Sequence, residues 1–251
     1  SSEISQGGES MSATRAQRVH PLDEDQFPPF EGFPEKGIAL LRRLKKNNTR
    51  TWFQAHKADH EEFVRFPMQC LIAGLRRDLA EEIPEIDFNP RKSIFRIYRD
   101  TRFSKDKTPY KTNIAASFRM RGTTGPIENP GLYVGIEPGE IFIGGGLYMP
   151  SGDQLKKIRK AIVDDPEAFL AIVKSKQFRS ALGGILGETL SRAPLGYAPD
   201  HPLIEHLKHK QFFVGIESGH EPALKPSFQG MVVGVFRQSM PFIRWLKAAV
   251  A

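Results

Sequence analysis

The chain has 251 residues, of which 39% are hydrophobic and 26% are charged, and its formal net charge is +7. This composition is typical of a globular protein with a buried core. The single cysteine, Cys70, excludes an intrachain disulfide and a cysteine-based zinc site, and no apolar run is long enough for a membrane span. Because no secretion signal opens the chain either, we expect a cytoplasmic protein.

Residues 1–26 differ from the rest of the chain, since they are rich in Ser, Gly, Gln and charged residues and lack a repeating apolar face. We expect a flexible leader here. Residues 1–10 are interpreted as an addition that precedes a natural start at Met11. No shift in composition divides the chain after the leader, so residues 27–251 are predicted to form a single α+β domain.

The segment that follows the leader is predicted to be helical. A first helix over residues 34–46 is indicated by apolar residues that recur on one face. Thr49 is the predicted N-cap of a second helix that continues through Phe63. Pro67 is expected to begin or kink a third helix that ends near residue 83. Three aromatic residues are predicted to anchor the beginning of this segment to the core: Phe27, Phe30 and Phe33.

From Ile94 the period of the apolar residues changes from helical to alternating. This pattern predicts four consecutive antiparallel strands, at residues 94–102, 113–121, 132–137 and 140–143. Pro138-Gly139 suits a type II turn between the last two strands. On the first strand, Arg99 falls on the more apolar face, where it should need a carboxylate or carbonyl partner.

The remainder of the chain is predicted to be mainly helical. Ser151 and Gln154 indicate a capping box at the start of one helix, and Asp165 caps the next. A short helix ending near residue 208, a strand over residues 211–216 and a long helix over residues 225–249, interrupted near Pro241, complete the chain. The predicted fold class is α+β, with a mostly antiparallel sheet that is flanked by helices on one face.

Residues 96–111 contain six Lys or Arg and two Asp, so their local net charge of +4 is more than half of the net charge of the whole chain. The pattern predicts a strand and a turn whose cations converge on a multiply charged anion. Asp100 and Tyr110 are expected to orient the arginines. The predicted ligand-binding residues of this segment are Arg96, Arg99, Arg102, Lys105, Lys107, Tyr110 and Lys111.

Three interpretations of this segment remain open. A phosphate-bearing small molecule, either bound or acted on as a substrate, is favoured because two acids cannot neutralise six bases. The second interpretation is a non-catalytic module that docks nucleic acid or an acidic protein through the same surface, with nearby aromatic rings stacking on bases. The third is a network of Arg and Asp that only stabilises the end of a strand.

Weaker patterns lie elsewhere. Gly144, Gly145 and Gly146 are predicted to form a turn that leads to the Ser151 helix, where they could offer backbone N–H groups to an anion. A bulge at the end of a strand, or close packing against an aromatic ring, is the simpler interpretation. Asp100 and Asp106 could hold a divalent metal ion, but counter-ions of the arginines are the simpler interpretation, and no metal or other cofactor is predicted. The catalytic candidates are Asp100, Asp106 and His201, the last as a proton shuttle.

The basic segment also carries a resemblance. Arg96-x-x-Arg99-Asp100-x-Arg102-Phe103, followed by Asp106-Lys107-x-x-Tyr110-Lys111, resembles the signature of domain-of-unknown-function family 2461, which is mostly bacterial with some fungal members. The likeness covers about residues 30–215 and includes Asn47-Asn48, Trp52-Phe53 and Gly144-Gly145-Gly146-x-Tyr148. The resemblance implies no particular activity, and it assigns no catalytic or binding residue.

Overall fold

The computed structural model describes residues 26–123 and 128–251 of the protein. The predictions that concern residues 1–25, including the leader and the start at Met11, lie outside the described residues. Phe27, Phe30 and Phe33 are buried at the beginning of the described chain, which confirms their predicted role as anchors. They belong to a hydrophobic core that also includes residues of each later strand of the sheet and of the C-terminal helix.

Three α-helices precede the basic segment in the described chain: α1 (Glu35–Lys46), α2 (Arg50–His60) and α3 (Phe66–Leu79). Thr49 is the N-cap of α2, as predicted, because its side-chain oxygen accepts the amide of Trp52. One π-helical turn, Glu61–Arg65, joins α2 to α3 without a break in the helix. Pro67 lies in the first turn of α3, where a missing amide donor is tolerated.

The sheet of the described chain has four antiparallel strands in the order β1-β2-β3-β4, namely β1 (Ile114–Arg119), β2 (Gly131–Glu137), β3 (Glu140–Leu147) and β4 (Phe212–Ser218). Four of the predicted strands are confirmed by these elements, although β3 continues beyond its predicted end. Gly139, in the turn between β2 and β3, has a φ of +99°, as the third position of the predicted type II turn requires.

Residues 94–102, predicted as the first strand, do not form a regular strand and contact their neighbours through isolated bridges. The amide of Phe95 bonds to the carbonyl of Ala115, and two residues later the carbonyl of Ile97 accepts the amide of Lys111. Between these two bonds, the chain moves two residues from Phe95 to Ile97, whereas the opposite segment moves four residues between Ala115 and Lys111. The offset interrupts the ladder, and β4, from a distant part of the chain, supplies the fourth strand instead.

The long helix α8 (Phe228–Val250) packs on one face of the sheet. Helix α3 packs against α8, as do α4 (Gly152–Asp164), α5 (Pro166–Val173) and α6 (Lys176–Leu182), while α7 (Ile204–Leu207) leads into β4. Ser151 and Gln154 form the predicted capping box at the start of α4. In the described part of the chain, every helix lacks the combination of length and apolar character needed to span a bilayer.

The predicted interruption of the C-terminal helix near Pro241 is wrong, because α8 is continuous through this residue. Pro241 is exposed, and its missing amide leaves one backbone carbonyl of the preceding turn without a helical partner. Phe236 and Met240 before the proline and Phe242 and Ile243 after it are all buried. Because both halves of the helix pack into the same core, this packing offsets the lost hydrogen bond.

Candidate functional site

Residues 96–111 form the basic hairpin, in which few backbone bonds join the two arms. The amide of Arg99 donates to the carbonyl of Pro109 at 2.9 Å, and the amide of Lys111 donates to the carbonyl of Ile97 at 2.8 Å. Exposure alternates along the first arm as predicted: Arg96, Tyr98 and Asp100 are exposed, whereas Ile97 and Arg99 are half-buried. The predicted division of this segment into two faces is therefore confirmed, even though the segment is not a sheet strand.

Tyr110 anchors the basic hairpin to the corner between α1 and α2. Its side chain is 2% exposed and its ring stacks on Phe53 with 4.2 Å between centroids. The side-chain amide of Asn48 donates to the Tyr110 carbonyl at 2.9 Å and accepts the Tyr110 amide at 3.0 Å. The prediction that Tyr110 binds a ligand or orients the arginines is wrong, because its ring is packed into a small apolar cluster with Leu44 and Phe53.

Arg99 has the carboxylate partner that its place on the apolar face predicts. Its guanidinium donates to both Asp106 and the hydroxyl of Thr108, and Asp106 also accepts the Thr108 amide at 2.9 Å. The bond from the Thr108 backbone, with that from Arg99, lowers the pKa of Asp106 to about 2. Arg99 and Asp106 therefore close the loop of the hairpin and are committed to each other.

Arg102 is held by Asp100 in a two-pronged ion pair. The Nε atom of Arg102 lies 3.0 Å from Oδ1 of Asp100, and its Nη2 atom lies 2.7 Å from Oδ2. The side-chain bond from Arg102 lowers the pKa of Asp100 to about 2. Asp100 thus orients an arginine as expected, while the Arg102 side chain remains 77% exposed.

Each carboxylate of the basic hairpin is already bonded to an arginine, which limits its use as a general acid or as a metal ligand. Because the pKa values of Asp100 and Asp106 are both lowered, each is ionised at neutral pH and has no proton to donate. Each faces its own arginine. Within residues 26–123 and 128–251, no cluster of three or more His, Cys, Asp or Glu could hold a metal ion.

Four cations of the basic hairpin have no carboxylate partner among the described residues: Arg96, Lys105, Lys107 and Lys111. The ammonium of Lys107 donates to the carbonyl of Thr101 at 2.8 Å, and that of Lys111 donates to the carbonyl of Arg96 at 2.9 Å. Burial, with a smaller contribution from the positive charge of Arg96, lowers the pKa of Lys111. The local excess of positive charge therefore remains after the two ion pairs have formed.

Two aromatic rings on the basic hairpin face solvent. Phe103 is 95% exposed and Tyr98 is 49% exposed. The guanidinium of Arg102 lies 5.8 Å from the centroid of the Phe103 ring. Both rings therefore lie at the surface beside cations that have no carboxylate partner in the described chain.

His201 lies outside this site. Its Nδ1 atom accepts the amide of Leu203 at 3.1 Å, and its ring contacts Tyr197 in the same loop. These contacts stabilise the loop that leads to α7. Neither of these contacts is with an acidic or basic side chain. The role of His201 as a proton shuttle stays a prediction.

The predicted turn at Gly144, Gly145 and Gly146 is wrong, because all three residues lie inside β3. They pair with β2 on one side and with β4 on the other, so the two ladders use their backbone groups and leave no cradle for an anion. A Cβ atom added to Gly146 would lie 2.7 Å from the Cβ of Phe213, and one added to Gly144 would lie 2.0 Å from a neighbouring carbonyl oxygen. The alternative interpretation, close packing, fits these distances.

Sequence reasoning missed a second concave surface, on the face of the sheet opposite α8. We call it the aromatic groove and define it by the rings of Tyr133, Phe142, Tyr148 and Phe213. The ring of Phe142 contacts those of Tyr133 and Phe213, and the ring of Phe213 also contacts that of Tyr148. The centroids of the contacting rings are 5.4–6.0 Å apart. The signal was available, because aromatic residues and glycines alternate on this face, as in Gly131-Leu132-Tyr133-Val134-Gly135.

The comparisons with known proteins identify a family and no described relative. Residues 36–245, most of the chain, match the model of the family described as Conserved hypothetical protein (DUF2461). Neither the curated proteins nor the solved structures include a match to the chain. Functional inference therefore depends on the geometry and the charges of the two surfaces described above.

Proposed function

We propose that this chain, which belongs to the conserved hypothetical protein family DUF2461, binds single-stranded nucleic acid through the basic hairpin. One observation supports the proposal above all: four cations without a carboxylate partner and two exposed aromatic rings share the same exposed segment. A nucleic-acid strand offers both kinds of complementary group, since it presents phosphates along its backbone and flat bases beside them.

The charges and the rings would contact different parts of the strand. Arg96 and Lys105 are exposed and can reach successive phosphates. Phe103 and Tyr98 can stack on unpaired bases, which stabilises binding by about 1–3 kcal/mol per base without selecting a sequence. Duplex bases are already stacked on each other, so a single strand fits these rings better than a duplex does.

The shape of the basic hairpin favours this occupant over a small metabolite. One cavity of the protein lies over the sheet, at the aromatic groove, and another lies beside residues 191–199. No residue of the basic hairpin lines either of these two cavities. A small ligand is normally held in a concave site that covers most of its surface, whereas an extended polyanion can bind an exposed loop.

The test is the fluorescence anisotropy of a labelled single-stranded oligonucleotide, measured against the full chain over a range of salt concentrations. If the four unpaired cations contact phosphates, the logarithm of the affinity should fall with the logarithm of the salt concentration with a slope of about −3. The double variant Arg96→Gln, Lys105→Gln should halve this slope. The matched control is Lys176→Gln, an exposed lysine on α6, which should leave the slope unchanged.

Other outcomes would contradict the proposal. If polyglutamate of equal charge competes as well as the oligonucleotide, the partner is an acidic protein, because peptide carboxylates offer no base for the rings. If no polyanion binds at low salt, the Arg and Asp network of the hairpin is structural. Equal loss of affinity in Lys176→Gln and in the double variant would indicate binding to the overall charge of the chain rather than to the hairpin.

A second candidate, a phosphate-bearing small molecule, is favoured by one specific contact. The ammonium of Lys111 is bonded to the backbone of Arg96 and lies 5.1 Å from the ring centroid of Phe95. The lowered pKa of Lys111 reflects its burial and the nearby charge of Arg96, with no acid between the two cations. An anion bound between them would relieve this repulsion.

Pyrophosphate distinguishes this second candidate from the first. If a small anion binds between Arg96 and Lys111, pyrophosphate should raise the melting temperature of the protein, and Lys111→Gln should abolish the shift. Phe103→Leu should have no effect on it. If the site binds an oligonucleotide instead, Phe103→Leu should weaken binding more than Lys111→Gln does, because the ring of Phe103 would stack on a base.

We also propose a cytoplasmic location. Burial raises the pKa of the Cys70 thiol to about 11, so this lone cysteine is protonated and inert. A chain that uses no disulfide suits a reducing compartment. Fractionation of cells that express the tagged full chain is the direct measurement, and its recovery in a secreted or membrane fraction would contradict the proposal.

A further inference from the structure

The aromatic groove is a cavity of about 580 Å³ that opens on the uncovered face of the sheet. Rings of Tyr133, Phe142, Tyr148 and Phe213 line it. Their planes are inclined to one another by 52–73°, so the rings form inclined walls rather than one flat stack. A cavity of this size accommodates a small organic molecule.

Glycines make the floor of the groove. Gly131 and Gly146 line the cavity and are paired across β2 and β3. A Cβ atom added to Gly146 would lie 2.3 Å from a backbone oxygen and 2.7 Å from the Cβ of Phe213. Because no side chain can be accommodated there, the rings lean over bare backbone, and the depression is a consequence of the sequence.

One end of the groove is acidic, although the protein as a whole is basic. Glu140 and Glu217 line the cavity, and Glu137 lies opposite Glu140 in the β2–β3 pair. None of these carboxylates has a Lys or Arg partner among the described residues. Repulsion from Glu217, with smaller contributions from desolvation and from Glu137, raises the pKa of Glu140. A positive charge at this end would remove the repulsion.

Two other groups near the groove, Arg119 and His220, do not supply that positive charge. Arg119 lies on the same face of the sheet and is paired with Gly131. Its position across the sheet corresponds to Phe213 on β4, which is four residues, or about 13 Å along the strand, from Glu217. Arg119 does not line the cavity. His220, beyond the acidic end, accepts the amide of Gly139 through Nδ1 and does not line the cavity.

We propose that the aromatic groove binds an organic cation whose ammonium group lies between the inclined rings at the end that carries Glu140 and Glu217, with the apolar remainder of the molecule further along the groove. Aromatic faces attract cations through their quadrupole, and inclined rings around one space are the arrangement that recognises alkylated ammonium groups. The carboxylates decide the sign of the ligand's charge, since an anion would be repelled from this end of the cavity. This site is independent of the basic hairpin and of its proposed partner.

The test is isothermal titration of the full chain with two phenyl compounds that differ in charge, benzyltrimethylammonium and benzyl alcohol. The cation should bind about threefold to thirtyfold more tightly than the neutral compound, as the range of cation–π energies implies. Glu217→Gln and Phe142→Leu should each weaken binding of the cation. Both side chains are partly or fully exposed, so both variants should fold, and an unchanged melting temperature checks this.

Matched controls are exposed residues away from the groove. Glu62→Gln, in the π-helical turn after α2, removes the same charge, and Phe103→Leu, in the basic hairpin, removes an exposed ring. Neither should change binding of the cation. Equal affinity for benzyl alcohol and benzyltrimethylammonium, an equal effect of Glu217→Gln and Glu62→Gln, or no binding of the cation at millimolar concentration would each overturn the proposal.

Discussion

At the level of single residues, His60 is buried without a hydrogen-bond partner on either ring nitrogen in the described structure. It is 5% exposed and packs edge-on against Phe53. Burial, with a smaller contribution from the charge of Arg65, lowers the pKa of His60 from 6.5 to about 4. The folded protein therefore holds His60 neutral at a pH where the unfolded chain would protonate it.

His60 should make the protein sensitive to mild acid. Between pH 6.5 and about 4 the unfolded chain binds a proton that the folded chain excludes, so stability falls as the pH falls, by up to about 3 kcal/mol. His60→Leu keeps an apolar side chain of similar size and removes this proton. Urea unfolding at pH 7.5 and pH 5 should show a larger gain in stability at pH 5, and equal gains at both would contradict the assignment.

The arginines of the basic hairpin should not be equivalent in binding. Arg102 is already bonded to Asp100 through two atoms, whereas Arg96 has no carboxylate partner in the described chain. Arg96→Gln should reduce oligonucleotide affinity about tenfold, the value of one charge-assisted bond, and Arg102→Gln should reduce it less. Anisotropy titrations at one salt concentration measure both. A larger loss in Arg102→Gln would mean that the ligand displaces Asp100.

At the level of elements, the basic hairpin depends on one side chain for its position. Asn48 satisfies both backbone groups of Tyr110 and so replaces a neighbouring strand at this point. Asn48→Ala should lower the free energy of unfolding by about 1–3 kcal/mol, because it leaves these groups unpaired. It should also speed hydrogen exchange at the amides of Arg99 and Lys111.

Asn47→Ala is the matched control for this prediction. Asn47 donates to the carbonyl of Arg43 at the end of α1 and does not contact the basic hairpin through that bond. Asn47→Ala should lower the free energy of unfolding somewhat. It should not speed hydrogen exchange at the hairpin amides beyond what this loss of global stability accounts for. Faster exchange in both variants would mean that α1, and not the amide of Asn48, controls the hairpin.

Helix α8 contains a proline that its packing tolerates but does not need. Pro241 is exposed, so little apolar contact is lost when it is replaced by alanine. Pro241→Ala should restore one helical hydrogen bond and raise the free energy of unfolding by about 1–3 kcal/mol. Urea denaturation measures this change. An unchanged or lower stability would indicate that the curvature imposed by the proline is required for packing on the sheet.

At the level of the whole molecule, charges of opposite sign are separated between two surfaces. Unpaired cations gather on the basic hairpin, and unpaired carboxylates gather at the end of the aromatic groove. The two surfaces approach each other at Phe95, whose ring contacts both Lys111 and Tyr133. The chain therefore can offer sites to ligands of opposite charge on one fold.

The two surfaces should respond differently to salt. Raising the salt concentration from about 50 to about 200 mM should weaken oligonucleotide binding about fiftyfold, because several counterions are released together. Binding of benzyltrimethylammonium should fall only a few-fold, since it involves one charge and apolar contact. Parallel titrations of the same preparation test this. Equal salt dependence would show that one diffuse electrostatic effect accounts for both.

Much of the local structure followed from residues close in sequence. Thr49 and the Ser151–Gln154 pair predicted two helix starts, because a cap bonds to an amide only a few residues away. Alternation predicted β1, β2, the first half of β3 and most of β4, since it depends on one buried face. The carboxylate partner of Arg99 was also expected from its place on the apolar face, and Asp106 supplies it.

The tertiary structure decided what depends on distant contacts. Tyr110 looked like a ligand residue, but Phe53 and Asn48 bury and bond it from another element. Gly144 to Gly146 looked like a turn, but pairing with β4, some 70 residues later, keeps them in a strand and opens the aromatic groove. The sequence by itself determined the location and excess charge of the basic hairpin. Only packing determined which of its charges are paired, because ion pairs and burial join residues that the local pattern cannot bring together.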